Sequence, residues 1–370
     1  MQSDVDEQLS IPSVDVVDLF AGPGGLDVAA RWLGLDVYGF EWDPNACETR
    51  AAAGLNSVPH DVRDFGPADV PGAWILAGGP PCQTFTVAGS GAGRRALDEV
   101  LSFVRRMGNG ETVTQEVAQL DDVRTGLVLE PLRWAIEAHK AENPYKLIVL
   151  EQVQAVLPVW KAMARVLEDK LGYRAVCGVL RTEEHGVPQT RRRAILIASL
   201  GVERELPEAT HRRYRKGVGQ LEGDPELFPW ESMGEALNRG GPFRVISNYG
   251  TGGDPKLRGT RRFDEPSATV TGKVSRNRVV DLDDNPLNRM TLHEAGRLQT
   301  FPVDYPWSGK DVAQQIGNAV PPVLALHVLA AALGFKISPE DARKVVDRPW
   351  LDTRDSAPLD HLQRMGLLFS

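Results

Sequence analysis

The sequence predicts an α/β fold, a mostly parallel sheet with helices on both faces, joined to a smaller irregular domain. Three observations predict it. Through the first 200 residues, short apolar runs alternate with helix-like stretches, the order that builds a parallel sheet. From about 201 to 288 the chain turns to Arg, Gly, Pro and Glu with little helical periodicity. After Asn288 apolar stripes at helical spacing return, as expected of a chain re-entering its first core. The domains read this way are 1–200, 201–288, a return over 289–336, and a polar extension over 337–370.

Taken in order, VDVVDLF (14–20), VYGFEW (37–42), AWILAG (73–78), LIVL (147–150) and AILIAS (194–199) read as strands. Val28–Leu33, Ala96–Met107, Leu127–Ala141, Thr291–Leu298, Val312–Ile316 and Val323–Leu333 read as helices. The stretch from Val87 to Asp121 is expected to hold a mobile loop, with Gly89, Gly91 and Gly93 as its hinge. In sheets of this kind ligands bind beyond the carboxyl ends of the strands.

The 370 residues are 42% hydrophobic and 25% charged, enough for a sizeable core and too apolar for global disorder. The three cysteines, Cys47, Cys82 and Cys177, are far apart, which argues against a disulfide framework or a zinc site; no metal is expected. A reducing compartment, the cytoplasm, fits. The start, MQSDVDEQLSIPS, lacks the basic and apolar regions of a secretory signal. Val320–Phe335 is too short and Pro-marked for a bilayer, so no membrane partner is expected. Net charge is −8, unfavourable to a polyanion partner. Yet Lys256–Arg278 holds seven basic and two acidic residues, a local basic face of the kind nucleic acid needs.

The strand ends carry the chemistry. DLFAGPGGL (18–26) brings three glycines to the end of the first strand, where backbone can approach a ligand, although Asp27 replaces the last glycine of a dinucleotide loop. Glu41-Trp42 ends the next strand, where an acid holds a ribose hydroxyl pair and an indole stacks on adenine. In GGPPCQTFT (78–86) the prolines stiffen the turn that presents Cys82, a strong nucleophile. Glu151, after LIVL, projects to the same side. In HGVPQTRRRAILIAS (185–199), Gln189, Arg191 and Arg193 alternate toward one face, two guanidiniums suited to a phosphate or a base carbonyl. Each has a bland alternative when taken singly: a tight turn, a buried thiol, a solvated acid, a basic loop edge.

Together, with RMTLHEAGRLQTFP (289–302) and QIGNAVPP (315–322), the ordered set from 18 to about 330 resembles the DNA cytosine-5 methyltransferase family. The resemblance implies a Rossmann-like class I methyltransferase sheet and S-adenosylmethionine as the methyl donor. It implies donor binding by Phe20, Gly22, Gly24, Gly25, Glu41, Trp42, Asp61, Pro80 and Asn318. It implies Cys82 as the nucleophile, Glu151 at the edge of the base, Arg193 at its carbonyl, and Gln189 and Arg191 as their partners. The region 201–288 matches target recognition, with Thr269 at the backbone of a flipped base and Arg258, Arg261, Arg262, Lys273, Arg276 and Arg278 toward DNA. Double-stranded DNA, a companion restriction endonuclease for the same site, a bacterial or phage source and a monomeric state are the expected context. Where the family usually has Glu-Asn-Val, this chain has Glu151-Gln152-Val153. A transfer-RNA substrate, a DNA binder without catalysis and a dehydrogenase are the alternatives. They are disfavoured by the lack of cysteine in 201–288, by the intact Cys82, Glu151 and Arg193, and by the otherwise unexplained Cys82 and GVPQTRRR.

Overall fold

The computed structural model describes residues 13–81, 91–120, 122–247, 259–353 and 359. The main sheet contains β1 (Val16–Leu19), β2 (Val37–Phe40), β3 (Ser57–Val58), β4 (Ile75–Gly78), β5 (Leu147–Val153), β6 (Tyr173–Arg181) and β7 (Arg192–Leu200), in the order β3-β2-β1-β4-β5-β7-β6. The first five strands are parallel, and β7 is antiparallel to both β5 and β6. Strand order reverses between β1 and β4, so their carboxyl ends flank the crevice where such sheets bind ligands.

Alternate residues of the buried strands feed two cores, because successive side chains point to opposite faces. Val17, Leu19, Leu76, Ile148 and Leu150 join one cluster. Helices α3 (Gly91–Gly108), α5 (Glu130–Lys140) and α6 (Leu157–Leu171) cover it, with α4 (Thr114–Val117) between α3 and α5 in the chain. Val16, Ile75, Ala77, Leu147 and Val149 join the other, with α1 (Gly25–Trp32) and α10 (Pro322–Leu333). The remaining helix of this half, α2 (Pro44–Ala53), starts at Asp43, whose carboxylate accepts from Asn45 N at 3.0 Å, and ends at Gly54, φ 68°. Val312–Leu333 is long and apolar enough to cross a membrane, but 83% of its most apolar window is buried inside the protein.

Several expectations change. LIVL continues to Val153, so Glu151 lies within β5 and not beyond it. The mixed sequence YRAVCGVLR forms β6, which alternation did not reveal because it pairs only with β7 and is largely half-buried. The helix expected over Ala96–Met107 is present but longer: α3 also takes in Gly91 and Gly93, two of the three expected hinge glycines, while Gly89 is outside the described residues. Val100 and Val104 of α3 are fully buried, and a Cβ on Gly108 would stand 2.7 Å from Val166 of α6. The second region is less irregular than expected. Its strands β8 (Arg244–Ile246), β9 (Thr260–Arg262) and β10 (Arg278–Val280) form an antiparallel sheet in the order β10-β8-β9. With α7 (Met233–Leu237), α8 (Leu292–Leu298) and α9 (Val312–Asn318) they enclose a third cluster around Phe243, Val279 and Ile316. The polar extension contributes α11 (Pro339–Asp347) and α12 (Trp350–Thr353), which bury Val345 and Trp350 in the second core.

Candidate active site

β1 leads into Phe20 (φ 72°), Gly22 (φ 55°) and Gly24 (φ 103°), a run of left-handed residues that turns the chain sharply into α1. The glycines serve different ends. A Cβ on Gly25 would stand 2.2 Å from the Val320 carbonyl, so close backbone packing requires glycine there; at Gly24, where a Cβ would stand 2.4 Å from the end of Leu55, the left-handed φ requires it. A Cβ on Gly22 would meet nothing within 4 Å, so this part of the loop faces open space. Asn318, two residues before Val320, is exposed and accepts from the Gln314 amide at 2.7 Å.

Glu41 stands beside that opening. Its carboxylate accepts from the backbone N–H of Gly22 (2.7 Å), Asp43 (2.8 Å) and Trp42 (2.9 Å). A carboxylate has about four lone-pair sites, so these three fix its orientation and leave capacity for a ligand hydroxyl. Burial pushes its pKa up, and the three N–H groups oppose that shift. Trp42 is 59% exposed, its ring available for stacking. These features fit an adenosine. Asp61 instead pairs with Arg63 at 2.5 Å and caps the turn that follows it, which lowers its pKa.

Sequence reading missed what lies beneath the loop. Asp27, at the site of the absent glycine, accepts from both terminal nitrogens of Arg50, at 2.9 and 2.7 Å, and both side chains are buried. Asp18, also buried, is pushed well up by burial and then by Asp27, with Glu41 and Glu151 adding.

The next strand end brings Gly79 and Pro80 against β5. A Cβ on Gly79 would lie 3.5 Å from Glu151 Oε2. Gln152, the departure from Asn, donates its amide to the Pro80 carbonyl and accepts from Val153 N at 2.5 Å. The longer side chain thus ties the strand to the proline turn. Cys82 lies outside the described residues. Glu151 opposes Ile195 and Arg193 opposes Val153, so they are diagonal neighbours on one face; Arg193 Nε and Glu151 Oε1 are 2.5 Å apart.

Gln189 and Arg191 do not share that pocket. Gln189 is fully buried, donates to Gln299 Oε1 (2.7 Å) and accepts from Val270 N (2.7 Å). The Arg191 guanidinium donates to the carbonyls of Val270 (3.0 Å), Gly317 (2.9 Å) and Ala319 (3.3 Å). Burial, then Arg193, pushes its pKa well below the ordinary value. Two arginines directed at one ligand is therefore corrected to one at Glu151 and one spanning three segments. Thr269 Oγ1 donates to the Thr190 carbonyl at 2.8 Å, part of the same seam.

Of the basic run, Arg261 lies over the Tyr214 ring at 4.7 Å, and Arg262 pairs with Asp264 at 3.0 Å. Lys273, Arg276 and Arg278 are exposed, and none has a salt-bridge partner among the described residues. Lys256 and Arg258 lie outside those residues. No group of three or more metal-ligating side chains occurs among the described residues.

The family described as C-5 cytosine-specific DNA methylase matches residues 14–103 and 244–333. The chain is 30% identical to the type II methyltransferase M1.HphI of Haemophilus parahaemolyticus, covering 87% of each protein. It is 26% identical to the type II methyltransferase M.MthTI of Methanothermobacter thermautotrophicus, over 85% of this chain and 95% of that one. The crystal structure of S. pombe Dnmt2 methyltransferase shares the fold, with TM-score 0.56 and 16% identity over 88% of this chain and all (100%) of that one.

Proposed function

Because the chain belongs to the C-5 cytosine-specific DNA methylase family, we propose that it methylates carbon 5 of a cytosine turned out of double-stranded DNA, through a transient bond from Cys82 to carbon 6. It is a DNA cytosine-5 methyltransferase, and DNA is its substrate. One observation supports the detailed reading most. Gln152 ties the turn preceding Cys82 to the strand carrying Glu151, beside Arg193 and across the crevice from the glycine loop. S-adenosylmethionine, when bound, supplies an electrophilic methyl group on a sulfonium.

Glu41 and Trp42 hold the adenosine end, Phe20, Gly22, Gly24 and Gly25 shape its floor, Pro80 and Asn318 complete the rim, and Asp61 would have to leave Arg63 to join them. Carbon 5 of cytosine is a poor nucleophile while the ring is aromatic. The Cys82 thiolate adds to carbon 6, and the electron pair of the 5,6 double bond becomes available at carbon 5 to take the methyl. Loss of the carbon 5 proton re-forms the double bond and expels the thiolate. Glu151 engages N3 and the exocyclic amine, and Arg193 the O2 carbonyl, which stabilises charge building in the ring. For both to reach the base, their mutual contact opens as the base enters. Gln189 and Arg191 act by position, joining the catalytic strands to 267–270 and 298–319.

Residues 201–288 select the DNA site, with Thr269 near the backbone of the flipped base and Lys273, Arg276 and Arg278 toward phosphates or guanine edges. Arg261 and Arg262 would have to leave Tyr214 and Asp264 to join them. The protein works as a monomer in the cytoplasm, protecting one site from a companion endonuclease. Expression in a host lacking cytosine methylation, followed by bisulfite sequencing, is expected to show protected cytosines at one short motif and none with Cys82→Ala. Equal protection with Cys82→Ala would exclude the covalent route. No protection by folded protein would favour RNA or a noncatalytic DNA binder.

A further inference from the structure

The match to the family ends at residue 333, yet the chain continues into the second core. Trp350 is 1% exposed. Its indole N–H donates to the Ala53 carbonyl at 3.0 Å, at the end of the helix that follows Glu41-Trp42. Its backbone N–H donates to Asp304 Oδ1 at 2.6 Å. The Trp350 ring meets the fully buried Tyr305 ring edge-on, centroids 5.5 Å apart. Phe301 and Trp307 enclose the other sides of Tyr305 at 4.8 and 5.0 Å. The Tyr305 hydroxyl donates to the Pro23 carbonyl, between Gly22 and Gly24. A Cβ on Gly24 would stand 2.9 Å from that hydroxyl. Farther on, Leu359 N donates to the Trp32 carbonyl at 3.0 Å, at the end of α1.

We propose that residues 334–353 are a strut for the glycine loop, with Trp350 and Tyr305 as positioning residues for the methyl donor. Phe20 is held left-handed without being a glycine, and the glycines beside it are free to take many conformations, so the loop needs outside support to keep one. Tyr305 grips the loop at its centre, Trp350 holds Tyr305 from behind, and Trp350 also braces α2 through Ala53. The strut therefore spans both walls of the donor site, the loop and the helix after Glu41. Donor affinity depends on that support because an ordered loop loses less freedom on binding.

The inference rests on the glycine loop and Glu41 being the donor site, so Glu41→Ala serves as the reference. The dissociation constant for S-adenosylhomocysteine is measured by calorimetry, beside KM for DNA and kcat at saturating donor. Trp350→Ala is expected to weaken binding roughly tenfold while KM for DNA and kcat change less than about twofold. Trp350→Phe, which keeps an edge-on ring, recovers most of the loss. Tyr305→Phe keeps the packing, loses only the bond to Pro23, and weakens binding about threefold; it decides the matter alone if Trp350→Ala does not fold. Normal binding by Trp350→Ala or, in that event, by Tyr305→Phe, while Glu41→Ala is weak, overturns the strut. So does a uniform fall in both substrates' parameters without rescue by Trp350→Phe. Normal binding by Glu41→Ala means the donor-site reading has failed, and the strut falls with it.

Discussion

Two arginine–carboxylate pairs stand at the same end of the sheet and differ in almost every other respect. Asp27–Arg50 lies under the glycine loop, with side chains 1% and 0% exposed. Both carboxylate oxygens are used, and Arg50 also donates to the Asn56 carbonyl at 2.9 Å. Glu151–Arg193 lies where β5 and β7 reach the crevice, with side chains 14% and 11% exposed. The first pair is sealed, so its partners cannot be exchanged and it acts as structure. The second is partly open at the crevice, so in the proposed reaction the same chemistry can be handed to a base. An ion pair's role is thus set by access more than by the identity of its members.

The strongest way to break this contrast is to remove one partner from the sealed pair. Arg50→Met leaves the Asp27 carboxylate buried without its cation, and is expected to cost about 3–5 kcal/mol in urea unfolding. A loss below about 1 kcal/mol would place the pair with ordinary surface bridges. At the open pair, Glu151→Gln is expected to lower kcat by roughly 10²–10³ while unfolding free energy changes by only about 1 kcal/mol. A stability loss matching that of Arg50→Met would erase the distinction.

A second sealed group sharpens it through pH. His185 and His211 are both buried and held down to about 4, chiefly by burial, with His211 adding at the first and Arg343 at the second. The unfolded chain takes up these protons near pH 6.5, so the stability is complete above that value and is lost as pH falls toward 4. Each is expected to cost about 2 kcal/mol between pH 7 and 5, read from urea unfolding at both values. His185→Leu should flatten the dependence, and an unchanged slope would rule out this source. The smallest effect belongs to the exposed cations. Changing Lys273, Arg276 or Arg278 singly to Gln is expected to reduce the salt slope of DNA binding by about one for each phosphate left unneutralised, without altering stability. Weakening confined to one DNA sequence would instead mark readout of a base edge.

Much of the site was legible because its signals are contiguous. Glycines at the end of an apolar run, an acid and indole after the next run, and a proline-stiffened turn each encode their geometry within a few residues. The limits appear at particular side chains. Arg191 and Arg193 do alternate along the chain as their spacing implies, but their destinations differ. Arg193 meets a neighbour across one strand pair, while Arg191 meets carbonyls 79 to 128 residues away. β6 was hidden because an edge strand need not alternate cleanly, and the burial of α3 because an amphipathic helix does not name the surface it covers.

By itself the sequence determined the α/β layering, the family resemblance and the residue types at the strand ends, since periodicity and turn chemistry act over short distances. Only the tertiary structure decided which of those groups are sealed and which face the crevice. It alone joined Tyr305 to Pro23, 282 residues apart, and brought Trp350 behind them. Such contacts arise when separate apolar faces close on one core, and no local pattern specifies the partner.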